Sequence, residues 1–451
     1  MKEFFLRAYD FVKSSLGRNK AGNFHGSASW NAYKWEILKQ SNRGLTINGI
    51  DKISEPNSFL NSVIIAPSGA GKTTTYIIPN ALNLQSSMII TDPSGEIHKS
   101  TKDTLISKFF DIRIINPNNL EKTFFYNPLA RANTITEINK ITTILIENAY
   151  KKDGSTSDAS FWNNGAKTIL NLIIQAVKTN PDPQKRNLQE ARRLLLFYGQ
   201  IDEARKIDKL ASEIEKHLYH DENAMSELAS FFATEDKVRH NFITTAKNAL
   251  EIFTDPNICE LTKKDTIKFE DIKTETKRPV VIFLIVPEHE IQYYSFLLNL
   301  FYTQIFNFCA FTSADTKPVF FLLDEFGNMG RLPNFETIIT ILRKRKCSIS
   351  IILQDIKQLN AIYGQNNAEV IFGNCASKIF FSGLDLPMCQ KIQEMLGKET
   401  VEHKDGDTGK RSLHGRYLMT ADEIRRLPRS KIIYIFSNER PFLLPTRYYQ
   451  G

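Results

Sequence analysis

The chain has 451 residues, of which 42% are hydrophobic and 24% charged, an ordinary globular composition that provides for a large core and two or three domains. Its 58 basic and 50 acidic residues give a net charge of +8, a mild bias that permits a polyanionic partner without demanding one. The longest apolar run, residues 280–286, is far shorter than the roughly 18 residues that span a bilayer, so the sequence predicts no transmembrane helix.

Two further features bear on where the protein works. The first 18 residues mix aromatic and basic side chains, a segment too short and too charged for a secretory signal. We expect a helix packed on the main domain there, with a docking helix or a helix on a membrane surface as alternatives. The five cysteines show no metal-ligand spacing and lie mostly in apolar runs, which favours reduced, buried cysteines in a cytoplasmic protein.

Residues 64–75 read Ile-Ile-Ala-Pro-Ser-Gly-Ala-Gly-Lys-Thr-Thr-Thr, a buried strand, a glycine-containing loop and a helix start in direct succession. This is the layout of a phosphate-binding P-loop, in which backbone N–H groups and the positive end of a helix dipole surround a phosphate. The residues expected to bind the nucleotide are Ala66, Pro67, Ser68, Gly69, Ala70, Gly71, Lys72, Thr73 and Thr74.

Three residues of this loop have individual roles in the predicted site for ATP and Mg²⁺. Lys72 is expected to reach the β- and γ-phosphates, Thr73 to place its hydroxyl on Mg²⁺, and Thr74 to approach the α-phosphate. Ala66 stands where the first glycine of the pattern usually lies. Because that position ends the strand and two glycines follow nearer the phosphates, we expect the change to cost little.

A second apolar run, residues 88–91, ends in Asp92-Pro93-Ser94-Gly95-Glu96. A strand followed by an acid and a glycine turn places Asp92 at the carboxyl edge of a parallel sheet, where ligands of open α/β sheets bind. Residues 112–115 read as a third strand.

The character of the chain changes at residues 134–258, which show helical periodicity and almost no strand signal. One of the helices is expected over residues 202–219. Basic side chains in the block, such as Arg192 and Arg239, are most simply a solvated helix face, with partner binding as the alternative.

Strands and helices alternate again from residues 280–286 to a late strand at residues 432–436. A helical insertion within one α/β domain explains this order better than three independent domains. We therefore predict a nucleotide-binding domain in two parts, residues 1–133 and 259–451, with an all-α insertion domain at residues 134–258 between them.

The strand at residues 319–323 ends in two adjacent carboxylates, Asp324 and Glu325. A P-loop ATPase needs such a pair: Asp324 is expected to hold Mg²⁺, and Glu325 to orient and deprotonate the attacking water. Gln354 ends a further strand and is a candidate for contact with the γ-phosphate or the attacking water.

Four cations, Arg343-Lys344-Arg345-Lys346, lie at the end of a predicted helix, where they suit the helix dipole. The functional alternative is that one arginine reaches into a neighbouring subunit's site as an arginine finger that stabilises transition-state charge.

With these residues in view, the chain resembles the type IV secretion coupling proteins, the TraG/TraD-like conjugative DNA-transfer ATPases. The most specific match is Asp324-Glu325-Phe326-Gly327-Asn328 with Pro333-Asn334-Phe335-Glu336, Gln354 and Gln358-Leu359. Other stretches agree in family order: His25-Gly26-Ser27-Ala28, Ile78-Pro79-Asn80, Asp92 to Glu96, Asn127-Pro128-Leu129, Phe161-Trp162, Phe372-Gly373-Asn374-Cys375 and Leu418 to Ile424.

The resemblance implies a RecA-like P-loop NTPase domain with a mostly parallel sheet and an inserted all-α domain, assembled as a homo-hexameric ring around a DNA channel. It also implies that the all-α domain receives a relaxase or a secreted effector, and that Arg343 is the better finger candidate by position. Two departures are Ser94, which replaces a common lysine, and the absence of the N-terminal membrane helices of many members. Attachment at the cytoplasmic face of the inner or cell membrane is then expected to depend on partners. The alternatives are attachment through the short N-terminal helix, or loss of attachment.

The function expected from these features is an ATP-hydrolysing coupling protein. It would recruit single- or double-stranded DNA with a relaxase and translocate it to the channel components of a type IV secretion system during conjugation. One alternative is a coupling ATPase for effector proteins without DNA transport. Another is an FtsK-like or HerA-like DNA translocase, against which the helical insertion and the Asp-Glu-Phe-Gly-Asn stretch speak.

Overall fold

The structure, a computed structural model, describes residues 25–150, 157–273, 278–313, 316–404 and 411–449, without the side chains of residues 157–159. The chain divides into two compact units. The first unit comprises Met1–Leu84 and Ser350–Gly451, and the second Gln85–Ile349. The helix expected within the first 18 residues lies outside the described part of the chain.

The strands in chain order are β1 (Ser62–Ile65), β2 (Ser87–Thr91), β3 (Asp111–Ile115), β4 (Ile201–Asp202), β5 (Ile207–Asp208), β6 (Val280–Leu284), β7 (Val319–Leu323), β8 (Cys347–Leu353), β9 (Ser377–Phe380), β10 (Lys398–Lys404), β11 (Arg411–Tyr417), β12 (Lys431–Phe436) and β13 (Phe442–Pro445).

The α-helices in chain order are α1 (Glu55–Ser58), α2 (Ile78–Asn83), α3 (Glu96–Ser107), α4 (Ile135–Ala149), α5 (Ser157–Lys178), α6 (Leu188–Leu195), α7 (Lys209–Leu218), α8 (Glu222–Ala233), α9 (Asp236–Ala249), α10 (Pro256–Lys263), α11 (Glu270–Lys273), α12 (Ser295–Phe311), α13 (Phe335–Arg343), α14 (Ile356–Tyr363), α15 (Gln365–Gly373), α16 (Leu386–Leu396) and α17 (Ala421–Arg425). A π-helical turn, Thr73–Ile77, runs directly into α2.

In the first unit the strand order is β13-β12-β9-β1-β8, where β8 contributes its residues from Ser350 onward. β1 is parallel to both neighbours, with Ile64 opposite Ile352 on one side and Ile379 on the other. β12 is antiparallel to β9 and to β13. All four residues of β1 are buried, so the P-loop begins from a central, fully covered strand.

The second unit contains the strand order β7-β2-β6-β3, and all of its pairings are parallel. β2, β6 and β7 are buried along their whole length, as expected for continuous apolar runs covered on both faces. Thr91 pairs with Leu323 at the ends of β2 and β7. The residues that follow, Asp92 and Asp324, are therefore neighbours at one carboxyl edge.

The helical block predicted for residues 134–258 is present as α4 to α9 and the first part of α10, with one local difference. The helix expected over residues 202–219 is wrong at its start, where β4 and β5 form a two-residue antiparallel hairpin. Asp202 accepts the backbone N–H of Ala204, and Lys206 adopts a left-handed conformation, so the chain turns before α7 begins.

Two expectations about the whole chain have different outcomes. All five cysteines are buried and free of disulfide bonds, as predicted. No helix in the described ranges combines the length and the apolar character needed to cross a bilayer. The separation of residues 134–258 as an insertion domain stays a prediction, because the second compact unit is larger than that block.

Candidate functional site

The P-loop starts with hydrogen bonds that continue the pairing of β1. The N–H of Ala66 donates to the carbonyl of Leu353 at 2.9 Å, and the N–H of Phe381 donates to the carbonyl of Ile65 at 3.0 Å. Ala66 is fully buried. Its methyl group lies among packed atoms where the strand ends, so the replacement of the usual glycine is accommodated.

The two glycines of the loop are needed for their backbone conformations. Gly69 has φ of 73° and Gly71 has φ of 88°, in the left-handed region that residues with a Cβ rarely adopt. Between them, the N–H of Ala70 donates to the carbonyl of Pro67 at 3.1 Å and closes a turn. This geometry leaves residues 67–71 as a compact loop at the start of a helix, which is the arrangement that binds phosphate.

The helix after the loop starts with an irregular pitch. The N–H of Ile78 donates to the carbonyl of Thr73, five residues earlier, instead of to Thr74. Pro79 has no N–H to offer, so the carbonyl of Thr74 receives none from either residue. That carbonyl instead accepts the N–H of Tyr449 at 2.9 Å.

Gln354 lies beside the P-loop within the first unit. It lines a cavity of about 260 Å³ together with Pro67, Ser68 and Asp385. Its backbone N–H donates to Oε1 of Gln358 at 2.9 Å. The structure therefore places Gln354 next to the loop. A residue that contacts the γ-phosphate or its attacking water has to lie there.

The same cavity is lined by a carboxylate, that of Asp385. Asp385 accepts a hydrogen bond from Lys357, which is the main reason that the pKa of Asp385 lies below its usual range. Its other oxygen accepts the N–H of Met388 at 3.1 Å and caps α16.

Asp324 and Glu325 lie in the second unit, directly after β7, and both are buried. Oδ1 of Asp324 accepts the N–H of Glu325 at 3.0 Å. Glu325 adopts a left-handed conformation with φ of 52°, which is uncommon for a residue with a Cβ. Such conformations cost free energy and persist where surrounding contacts hold them, often at functional sites.

Asn328 supplies two of those contacts. Its side-chain amide donates to Oε2 of Glu325 at 3.3 Å, and its backbone N–H donates to the carbonyl of Glu325 at 2.8 Å. The sequence contained this residue in a motif without a role for it. The spacing of three residues from Glu325 is the feature that would have suggested the contact.

Asp92 is a buried carboxylate that caps α3. Its oxygens accept the backbone N–H groups of His98 at 2.8 Å and Ile97 at 3.3 Å. Burial raises the pKa of Asp92 to about 6, the N–H donors oppose that rise, and the Asp324 carboxylate adds to it. Two acids thus share the carboxyl edge of β2 and β7, a favourable place for a cation.

The remaining predicted residues have simpler positions. Arg343 ends α13 in the second unit and is exposed to solvent, while Arg345 is partly covered. Ser94, the departure from the family pattern, is exposed in the turn after β2. Its hydroxyl oxygen accepts the N–H of Glu96 at 3.2 Å, so it helps to form the turn.

The available donors fit a nucleotide with Mg²⁺. Among the described residues, no group of three or more His, Cys, Asp and Glu side chains is arranged as a metal site. Magnesium bound with phosphates needs only one or two protein oxygens. The first unit offers the Thr73 hydroxyl as such a ligand, and the second unit by itself offers the buried Asp324 carboxylate. The compact glycine loop supplies backbone N–H groups for the phosphates themselves.

Comparison with protein families gives one match that covers nearly the whole chain. A family model described as "Type IV secretory system Conjugative DNA transfer" matches residues 28–450. The protein VirD4 of Rhizobium radiobacter is 21% identical over 396 residues, which is 85% of this chain and 55% of that protein. The chain therefore spans about half the length of the curated relatives that it matches.

Solved structures show the same fold. The bacterial conjugative coupling protein TrwB, in a form with sulphate, is similar with a TM-score of 0.73 and 15% identity over 96% of this chain and 97% of that one. TrwB in complex with ADP and Mg²⁺ gives a TM-score of 0.72 and 16% identity over 94% and 93%. The expected α/β class with a mostly parallel sheet is confirmed. The assignment as a RecA-like P-loop NTPase with an inserted all-α domain stays a prediction.

The raised pKa of Asp92 makes a prediction about stability. Between about pH 4 and pH 6 the folded chain keeps the Asp92 proton while the unfolded chain has lost it, so this group stabilises the fold less as pH rises. We expect the stability of wild type relative to Asp92→Asn to fall by about 1–3 kcal/mol over that range. Denaturant unfolding at a series of pH values measures the difference.

The matched control is Ser94→Ala, which changes the same turn without removing a titratable group. Its difference in unfolding free energy from wild type should not vary with pH. A pH-independent difference for Asp92→Asn as well would contradict the assignment.

Proposed function

The chain belongs to the conjugative DNA-transfer family of the type IV secretory system, and from this premise we propose that it is an ATP-hydrolysing coupling protein. It recruits DNA together with its relaxase and moves both to a type IV secretion channel. The observation that carries the proposal is the P-loop of the first unit, with glycines in left-handed conformations and a helix starting at once. The buried pair Asp324 and Glu325 in the second unit supplies the matching acidic residues.

The proposed roles follow from the chemistry of each side chain. Lys72 donates to the β- and γ-phosphate oxygens, and residues 66–74 surround the phosphates. Thr73 and Asp324 hold Mg²⁺, which neutralises charge on the phosphates when it is bound. Glu325 orients the attacking water and accepts its proton, and Gln354 contacts the γ-phosphate or that water.

The geometry around Glu325 supports its role as the base. Its burial raises the cost of any unsatisfied charge, and the Asn328 amide holds one carboxylate oxygen. A base has to be positioned before it can act on a water at hydrogen-bond distance. The left-handed backbone and the amide contact provide that positioning.

Arg343 is proposed as an arginine finger that acts in a neighbouring subunit. It is exposed at the end of α13, where its guanidinium is accessible to another chain. This role requires an assembly in which each chain faces the P-loop of the next, and we propose a homo-hexameric ring.

The remaining proposals concern partners and location. Residues 134–258 act as an all-α insertion domain that receives the relaxase or a secreted effector. Exposed aromatic side chains such as Phe161 and Tyr219 provide contact area on its surface. The protein works in the cytoplasm at the face of the inner or cell membrane, held there by partners. The net charge of +8 suits a DNA substrate.

Two substitutions test the nucleotide chemistry. Lys72→Ala should abolish nucleotide binding, because the ammonium group that holds the β- and γ-phosphates is lost. Glu325→Gln should keep binding but slow hydrolysis by about 1,000-fold, because an amide cannot accept the proton of water. Nucleotide titration and steady-state phosphate release measure the two effects.

Lys39→Ala and Glu369→Gln are matched controls, since both side chains are exposed on the first unit away from the P-loop strand. Both should keep wild-type affinity and rate. Hydrolysis at the wild-type rate in Lys72→Ala or Glu325→Gln would contradict the proposed roles of these residues.

The DNA part of the proposal is tested by ATP hydrolysis against chain concentration, with single-stranded DNA, double-stranded DNA or none. We expect the rate per chain to rise cooperatively with concentration and with DNA. Stimulation should weaken steeply between about 50 and 200 mM salt, because DNA binding releases counterions. A hydrolysis rate that does not change with DNA but rises with a candidate secreted protein would favour effector coupling instead.

The finger in trans is tested by mixing two inactive variants. Arg343→Ala chains keep a complete P-loop, and Lys72→Ala chains keep the finger. Where the first type accepts a finger from the second, an active site is restored, so the mixture should hydrolyse ATP while each variant alone does not. Arg345→Ala mixed with Lys72→Ala is the comparison, and Arg345→Ala alone should stay active. Absence of restored activity in the first mixture would contradict the finger.

A further inference from the structure

Residues 445–449, here called the C-terminal strap, are held beside the P-loop by hydrogen bonds. The carbonyl of Pro445 accepts Nδ2 of Asn48 at 2.9 Å, and the N–H of Arg447 donates to the carbonyl of Asn48 at 2.9 Å. The N–H of Tyr449 donates to the carbonyl of Thr74 at 2.9 Å. The strap is therefore anchored to the turn at Asn48, ahead of α1, and to the first helical turn after the P-loop.

Contacts with the β12 side of the first unit hold the strap from its other edge. The N–H of Thr446 donates to the carbonyl of Ser430 at 2.8 Å. The hydroxyl of Tyr448 donates to the carbonyl of Arg429 at 2.8 Å. This last bond fixes the position of the Tyr448 hydroxyl, and together with the backbone it fixes the direction of the ring's long axis.

The ring of Tyr448 lies directly against the P-loop. A Cβ placed on Gly71 would come within 2.5 Å of Cε1 of Tyr448, so the ring packs on the bare Cα of the residue before Lys72. At the same time 43% of the Tyr448 surface is exposed. The side chain therefore has one part packed on the phosphate loop and another open to solvent beside it.

We propose that the Tyr448 ring stacks on the base of the bound nucleotide, which makes the C-terminal strap a wall of the nucleotide site. The inference rests on the proposed nucleotide-binding function of the P-loop. A nucleoside triphosphate whose phosphates occupy the loop carries its base at the other end of a ribose, and a flat aromatic ring at the edge of the loop offers a stacking surface. No aromatic side chain occurs within residues 61–75 itself.

The chemistry of stacking also sets the expected selectivity. Every base has a π-face, so a single ring favours nucleotides over inorganic polyphosphates without distinguishing adenine strongly from guanine. The bond from the Tyr448 hydroxyl to Arg429 is made on the protein side. Removing that hydroxyl should therefore matter less than removing the ring.

The test compares ligands with and without a base by titration calorimetry on the full chain with Mg²⁺. The ligands are ADP, GDP and inorganic tripolyphosphate. Tyr448→Ala should weaken ADP and GDP by about 5- to 100-fold and leave tripolyphosphate within about twofold. Tyr448→Phe keeps the ring and should restore ADP affinity to within about threefold of wild type.

Lys72→Ala separates this inference from the proposed function, because it should weaken all three ligands. If Lys72→Ala has that effect but Tyr448→Ala leaves ADP unchanged, the function stands and the stacking role is overturned. An equal loss of ADP and tripolyphosphate in Tyr448→Ala also overturns it, since the ring would then only shape the loop. A wild-type chain that binds none of the ligands would overturn both.

Discussion

The phosphate loop depends on where its backbone hydrogen bonds go. Ala66 is paired to Leu353 as if the strand continued, which holds the start of the loop in place. At the other end, the N–H of Ile78 bonds to the carbonyl of Thr73 in the π-helical turn, and Pro79 has no N–H. The carbonyl of Thr74 therefore accepts from another partner. Thr74 is half-buried, and its carbonyl accepts the N–H of Tyr449. Because Pro79 lacks an N–H, the helix after the loop is bonded to Tyr449, near the end of the chain.

The acidic residues of the second unit follow from a different constraint. Buried carboxylates are costly unless donors or cations compensate them. Asp92 is compensated by two N–H groups of α3, and Glu325 by the amide of Asn328. The carboxyl edge of β2 and β7 still places Asp92 near Asp324, and their mutual repulsion contributes to the raised pKa of Asp92. A cation bound at this edge would relieve that repulsion.

Much of the fold could be predicted, because the buried parallel strands are continuous apolar runs bounded by turn residues. β2, β3 and β7 lie within a residue of their expected bounds. The prediction failed where local polar contacts decide the structure, as in the β4–β5 hairpin. A helix was expected there, but the Asp202 side chain and the left-handed Lys206 form a turn. The prediction also missed β13, a strand whose partner β12 lies close in sequence but whose apolar run is only four residues long.

For the candidate site, the sequence by itself determined the residue types and their order: a glycine loop with Lys72 and Thr73, a strand ending in Asp324 and Glu325, and Gln354 after another strand. Those patterns are local, so spacing alone reveals them. Only the tertiary structure decided that Gln354 shares a cavity with the P-loop, and that Tyr448 packs on Gly71. Gly71 and Tyr448 are more than 370 positions apart in the sequence. Their contact depends on backbone hydrogen bonds of the residues beside Tyr448, and because nearly every residue type can make such bonds, no sequence pattern predicts it.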